Sequence, residues 1–318
     1  MFSNQIKLTG FILSLITVIH STFTCFISIV IIFIIIYELC YKNLKREERT
    51  TLFLCVNIYL FLLIYMMILS LMNIQTILGD LYERDFNSTL CIFIGYLSPV
   101  ILCVLYHSFV NQAFFRLCRI VYFRYRWLQL HWWYIIIPLL QLILAFALLS
   151  PLLVWHDIIY LLDEHYCYAA FMNFRGILWT AFISYVIPAS IVFIIYIRIT
   201  IFIRQQPHNQ TQAIQRRQAR DLLVIRRILI TVGLLITLGF PSVVLVIMGA
   251  ITGEEYVLSF RITWISLSIS MTGLSIAMVL FIPQLKSIVW KKFQRNRITP
   301  GTINLEISIQ VRPDIRNR

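Results

Sequence analysis

"FNSTLCIFIGYLSPVILCVLYHSFVNQAFFR", residues 86–116, runs for thirty residues without an acid, lysine or arginine and ends on Arg116. A helix needs about 20 apolar residues to cross the hydrocarbon core of a bilayer, so this stretch can span it once. Six more such stretches occur, at 8–37, 50–79, 127–156, 176–197, 228–253 and 262–285, each at least 22 residues long. With 60% hydrophobic and 13% charged residues, the chain is far from the balance of a soluble domain. Lipid offers the backbone no hydrogen-bond partners, so runs this long and apolar form helices rather than barrel strands. The predicted fold is an all-α membrane protein, a seven-transmembrane helix bundle. Helices one to seven fall at about 11–37, 52–78, 90–116, 130–154, 176–203, 221–251 and 258–282.

The flanks follow from the same reasoning. Residues 1–7 form a short N-terminal segment, and the first run is too long and too weakly basic at its start for a signal peptide. After helix seven, "PQLKSIVWKKF" (283–293) places Leu285, Ile288, Val289 and Phe293 at helical spacing, with lysines off that face. This predicts a short amphipathic eighth helix over 283–295, lying in the membrane interface. No cysteine follows it, so a palmitate anchor has no site there. Residues 296–318 read as a disordered cytoplasmic tail.

Charge sets the orientation. Sorted alternately to two sides, the segments 1–7, 80–85, 157–175 and 254–261 carry four cations against eight acids, net −4. The other side carries 23 cations against six acids, net +17, and the two agree with the overall +13. Basic loops stay in the cytoplasm, so the N-terminus is predicted outside, in a multi-pass membrane protein. The same loops account for the basic balance as attraction to anionic membrane lipids, without nucleic acid as a partner.

Seven cysteines leave at least one unpaired. Cys25, Cys55 and Cys103 lie within predicted helices, and Cys40 and Cys118 face the reducing side. Cys91 and Cys167 remain, both at extracellular ends, and form the predicted disulfide. Asn87-Ser88-Thr89 is a glycosylation sequon on the outer side, so Asn87 is a candidate acceptor; Asn209-Gln210-Thr211 falls on the inner side.

These features resemble the rhodopsin-like (class A) G-protein-coupled receptors, over roughly residues 8–295. Arg116 lies 25 residues after Cys91, where that family has the arginine of its Asp-Arg-Tyr motif, and Cys167 follows 51 residues later. Pro188 and Tyr196 match the family's proline and tyrosine of helix five, and Pro241, 53 residues beyond Pro188, matches the proline of helix six. The chain is divergent. Phe115 and Leu117 flank Arg116 where the family has Asp and Tyr, helix two carries no acid, and the Asn-Pro-x-x-Tyr motif of helix seven has no match. The resemblance implies an extracellular ligand, an unidentified small molecule or peptide, whose binding activates a heterotrimeric G protein. It also implies roles for single residues. Arg116 would close a switch with Asp221 at the inner end of helix six, Tyr196 would assist it, and Pro188 and Pro241 would bend their helices. Against that stands the plainer role of a boundary arginine reaching for lipid phosphates.

Ligand-pocket candidates are Ser98, seven residues past Cys91 where amine receptors carry an aspartate, and the outer aromatics Trp179 and Trp264. An aromatic belt explains the tryptophans equally well, and a solvated loop explains the acids Asp157, Asp163, Glu164, Glu254 and Glu255. His107 and Asn111 read as interhelical hydrogen-bond partners. Helix seven has no lysine, which excludes a retinal imine. No HExxH, GxSxG or cluster of intramembrane acids points to an enzyme, and no cofactor or metal is expected. The competing reading is a seven-helix chemosensory ligand-gated channel subunit with its N-terminus inside.

Overall fold

A computed structural model describes residues 2–42, 44, 46–125, 127, 130–205, 233, 239–240, 243–249, 251–253 and 256–281. Asp221, Pro241, the 283–295 amphipathic segment and the 296–318 tail lie outside these residues.

Helix one runs Phe2–Tyr41, so the expected N-terminal segment 1–7 is largely helix. No proline interrupts it, and Lys7 is its only charge before Glu38, so nothing stops each residue adding one more backbone bond. At 40 residues it is about 60 Å long, twice the hydrocarbon thickness, and its ends project. Helix two (Arg46–Tyr82) likewise outruns its predicted span. Glu47 and Glu48 sit in its first turn, where carboxylates favour the helix dipole. Helix three (Thr89–Ile120) begins where the Ser88 hydroxyl accepts the Cys91 N–H at 3.1 Å. Ser88 thus caps the helix, and Asn87 stands exposed just before it. Helix four covers His131–Leu149 and continues after Ser150 as one turn, Pro151–Val154.

The loop after helix four contains a hairpin that an all-helical reading leaves out. Strand β1 (Ile158–Leu161) pairs antiparallel with β2 (Tyr166–Ala169), with Tyr160 opposite Cys167. Helix five starts at Phe174–Ala181, widens to a π-helical turn at Phe182–Val186, and continues over Ile187–Gln205. The widened turn precedes Pro188, whose missing N–H and bulky ring disturb the preceding turn of any helix. Helix six is described in part, with 243–249 helical. Helix seven spans Ser259–Phe281.

Helix two is the most enclosed: Cys55, Tyr59, Leu62, Met66, Leu69 and Met72, spaced three or four apart, are essentially inaccessible. It packs against helices one, three, four and seven. Polar groups join the helices where lipid drives no hydrophobic association. Asn57 donates to Ser108 Oγ at 3.1 Å, Tyr59 donates to the Ser275 carbonyl at 2.7 Å, and the Thr24 and Thr272 hydroxyls meet at 2.7 Å. His107 and Asn111 differ from expectation. The His107 ring meets its own helix at the Cys103 carbonyl, and it is the His107 carbonyl that accepts from Gln141 of helix four. Asn111 is buried, with neither side-chain atom partnered among the described residues.

Candidate functional site

At one end of the bundle the β-hairpin lies across the helices as a roof. The Cys91–Cys167 disulfide fastens its second strand to the start of helix three. One turn further along helix three, Gly95 touches the Cys167 carbonyl so closely that any Cβ there would collide with the hairpin backbone.

The turn of the hairpin is held by Arg261, in the first turn of helix seven. Its guanidinium donates to Asp80 of helix two at 2.7 and 3.2 Å, to Glu164 at 3.2 and 3.4 Å, and to the Asp163 carbonyl at 3.3 Å. Arg261 and Glu164 are buried, at 6% and 4% exposure. Gly10 makes room for the arginine, because a side chain there would strike the guanidinium. Thr76 donates to the Glu164 carbonyl at 2.7 Å, completing a clasp of helices one, two and seven around the hairpin turn. Burial pushes the Glu164 carboxyl up to about 7; Asp80 and Asp163 add to the rise and Arg261 opposes it. The other end of the hairpin is held by Asp157, which accepts from Arg175 and Asn173, each at 2.7 Å. Burial alone would raise its carboxyl, but those bonds and the Arg175 charge outweigh it and hold Asp157 below the ordinary range. The Arg175 guanidinium also covers the Trp155 ring at 4.7 Å.

A solvated loop therefore does not describe Asp157 and Glu164: both are buried and paired. The sequence held one signal for this. Arg261 directly precedes the uncharged run 262–285, too close to helix seven to reach water freely.

Beneath the roof, helices three, five, six and seven enclose a cavity of about 710 Å³. Cavities of roughly 300–1,000 Å³ hold small molecules. Tyr106 and Tyr185 meet across it with ring centres 4.8 Å apart, and Tyr168 of β2 stands edge-on to Trp264 at 5.1 Å. Trp264 is buried and donates its indole N–H to the Tyr166 hydroxyl at 2.7 Å, so it belongs to the cavity wall rather than to an aromatic belt. Ser98 and Trp179 are not on that wall. Ser98 is buried beside Tyr65 of helix two, and Trp179 donates to the Leu148 carbonyl at 2.9 Å, which turns it to helix four.

At the opposite end of helix three, Arg116 neighbours the Tyr196 hydroxyl of helix five and the Cys55 thiol of helix two. Its Nη1 is buried and has no partner among the described residues. Phe115, which precedes it, meets Tyr134 of helix four edge-on at 4.9 Å. One turn on, Arg119 pairs with Glu47 at 2.9 Å and ties helix three to the start of helix two. The structure thus brings Arg116 and Tyr196 together; their expected third partner, Asp221, lies outside the described residues.

The chain superimposes on the crystal structure of squid rhodopsin with a TM-score of 0.67, at 12% identity, over 92% of this chain and 87% of that one. No family model and no curated protein matches the sequence. At that identity the likeness establishes the fold: a seven-helix bundle of rhodopsin architecture, in a multi-pass membrane protein.

Proposed function

We propose that the chain is a divergent rhodopsin-like receptor of class A. It sits in the plasma membrane with its N-terminus outside, binds a ligand in the roofed cavity, and activates a heterotrimeric G protein at the Arg116 end. The observation that carries this reading is the use of one helix by both ends. Helix three lines the cavity with Tyr106 and presents Arg116 to Tyr196 about three turns away. Helix five does the same with Tyr185 and Tyr196. A ligand that shifts helices three and five against each other alters the surroundings of Arg116 directly. The charge bias of the loops supports the orientation, and Asp221, the only acid between Glu164 and Glu254, supports a resting partner for Arg116. A contribution of about 0–1 kcal/mol from such a pair is enough to shift a two-state equilibrium lying near balance.

The test is agonist-free activation of a G-protein panel in cells at matched surface expression. Asp221→Ala should raise the signal and Arg116→Ala should abolish it. Silence of wild type and both variants, with ionic current on expression, would instead support the chemosensory channel subunit.

A further inference from the structure

The cavity has a side door. Leu178 and Val186 on helix five and Val243 and Ile247 on helix six line the cavity, yet they are 60, 49, 53 and 53% exposed. A residue that both lines a cavity and stands open at the surface marks its mouth, so the mouth lies between helices five and six. Val186 is about 18 Å along helix five from Phe174, well inside the membrane-spanning segment. Phe182, one turn before Val186, is also exposed and apolar, so the rim faces lipid rather than water. The route from the aqueous side is covered. Ile158, Ala169 and Phe171 of the hairpin region line the cavity from above and are buried, and the disulfide and the Arg261 clasp hold that roof down.

The lining defines what fits. No charged side chain and no histidine lines the cavity among the described residues. The ions that hold the roof are already paired, Arg261 with Asp80 and Glu164, and Arg175 with Asp157. A charged ligand would shed its water and gain no counter-ion among the described lining residues. Hydrogen-bonding groups are present all the same. Thr263 Oγ1 is buried on the wall with no partner among the described residues, and the Tyr106, Tyr168 and Tyr185 side chains also line the space.

We propose that the cavity takes an uncharged lipophile with one hydrogen-bonding head, admitted from the bilayer between helices five and six. This rests on reading the cavity as the ligand site of the proposed receptor.

The experiment uses the full chain in phosphatidylcholine nanodiscs and two photoreactive probes of equal chain length. One is a diazirine-bearing long-chain alcohol and the other its trimethylammonium analogue. Cross-link sites and yields are read by peptide mass spectrometry, with excess unlabelled alcohol as competitor. The alcohol should label the cavity wall near Thr263 and Tyr185, competably, with the ammonium probe roughly a hundredfold weaker there. Val186→Trp and Ile247→Trp, which narrow the mouth from either side, should each slow labelling by the alcohol about tenfold or more. Equal cavity labelling by the two probes overturns the ligand class, as does labelling confined to the outer surface. That comparison uses the wild-type chain and so does not depend on a variant folding. Unchanged rates in both rim variants overturn the route. The readout is independent of signalling: competable labelling with a silent G-protein panel sinks the coupling and keeps the cavity, and signalling without labelling does the reverse.

Discussion

Replacing Glu164 by glutamine tests the clasp most directly, because the carboxyl is buried on the hairpin turn and its charge is opposed by its surroundings. Its value of about 7, against an ordinary 4.5, means that the folded protein holds this proton more tightly than the unfolded chain does. The sign follows: the contribution to stability is complete below about pH 4.5, declines as pH rises to about 7, and is flat above. The ceiling is the difference of about 2.5 units at 1.36 kcal/mol each, or about 3 kcal/mol. Glutamine mimics the protonated carboxyl and can keep one bond to Arg261, which retains its paired contacts to Asp80. Glu164→Gln should therefore match wild type near pH 4.5 and exceed it at pH 8 by up to about 3 kcal/mol. The other groups at the site, Asp80, Asp163, His165 and Arg261, are common to both proteins, so the difference between the two reports Glu164 together with its coupling to Asp80, Asp163 and Arg261. Thermal unfolding of the purified protein across this range, followed by intrinsic tryptophan fluorescence, reads it out; Trp264 is buried until the bundle opens. Parallel curves for the two proteins would refute the reasoning, and so would a glutamine variant that is the weaker of the two at pH 8.

Three further outcomes are expected. Cys91→Ala removes a disulfide that closes a 76-residue separation, and should lower stability by about 2–5 kcal/mol and reduce surface expression, read by cell-surface labelling. Gly95→Ala pushes a methyl group into the Cys167 carbonyl and should cost about 1–3 kcal/mol by displacing the roof; a melting temperature equal to wild type would contradict that close approach. Tyr59→Phe removes the bond to the Ser275 carbonyl and should lower stability by about 1 kcal/mol, measured in the same unfolding assay.

The spans of this protein are legible in its sequence because crossing a membrane is a local requirement. Each run must be long and apolar enough on its own, and no other part of the chain can relieve it. Cys91–Cys167 is legible for a related reason, since sorting the loops to two sides leaves those two cysteines as the only plausible pair. The ends of helices one and two are not, because a helix lacking a breaker continues past the hydrocarbon boundary at no penalty that hydropathy records. The clasp is further out of reach. Asp80 and Arg261 are 181 residues apart, Glu164 and Arg261 are 97 apart, and in sequence all three are simply charges of the outer side. Only the fold decides that they meet, with Glu164 and Arg261 buried. The same holds for the cavity, where Trp264 lines the wall while Ser98 and Trp179 turn to other helices, and for Arg116, whose neighbour Tyr196 comes from helix five. Hydropathy is a sum over neighbours along the chain, whereas a site is built from neighbours in space, and those are set by how the helices pack and rotate against one another.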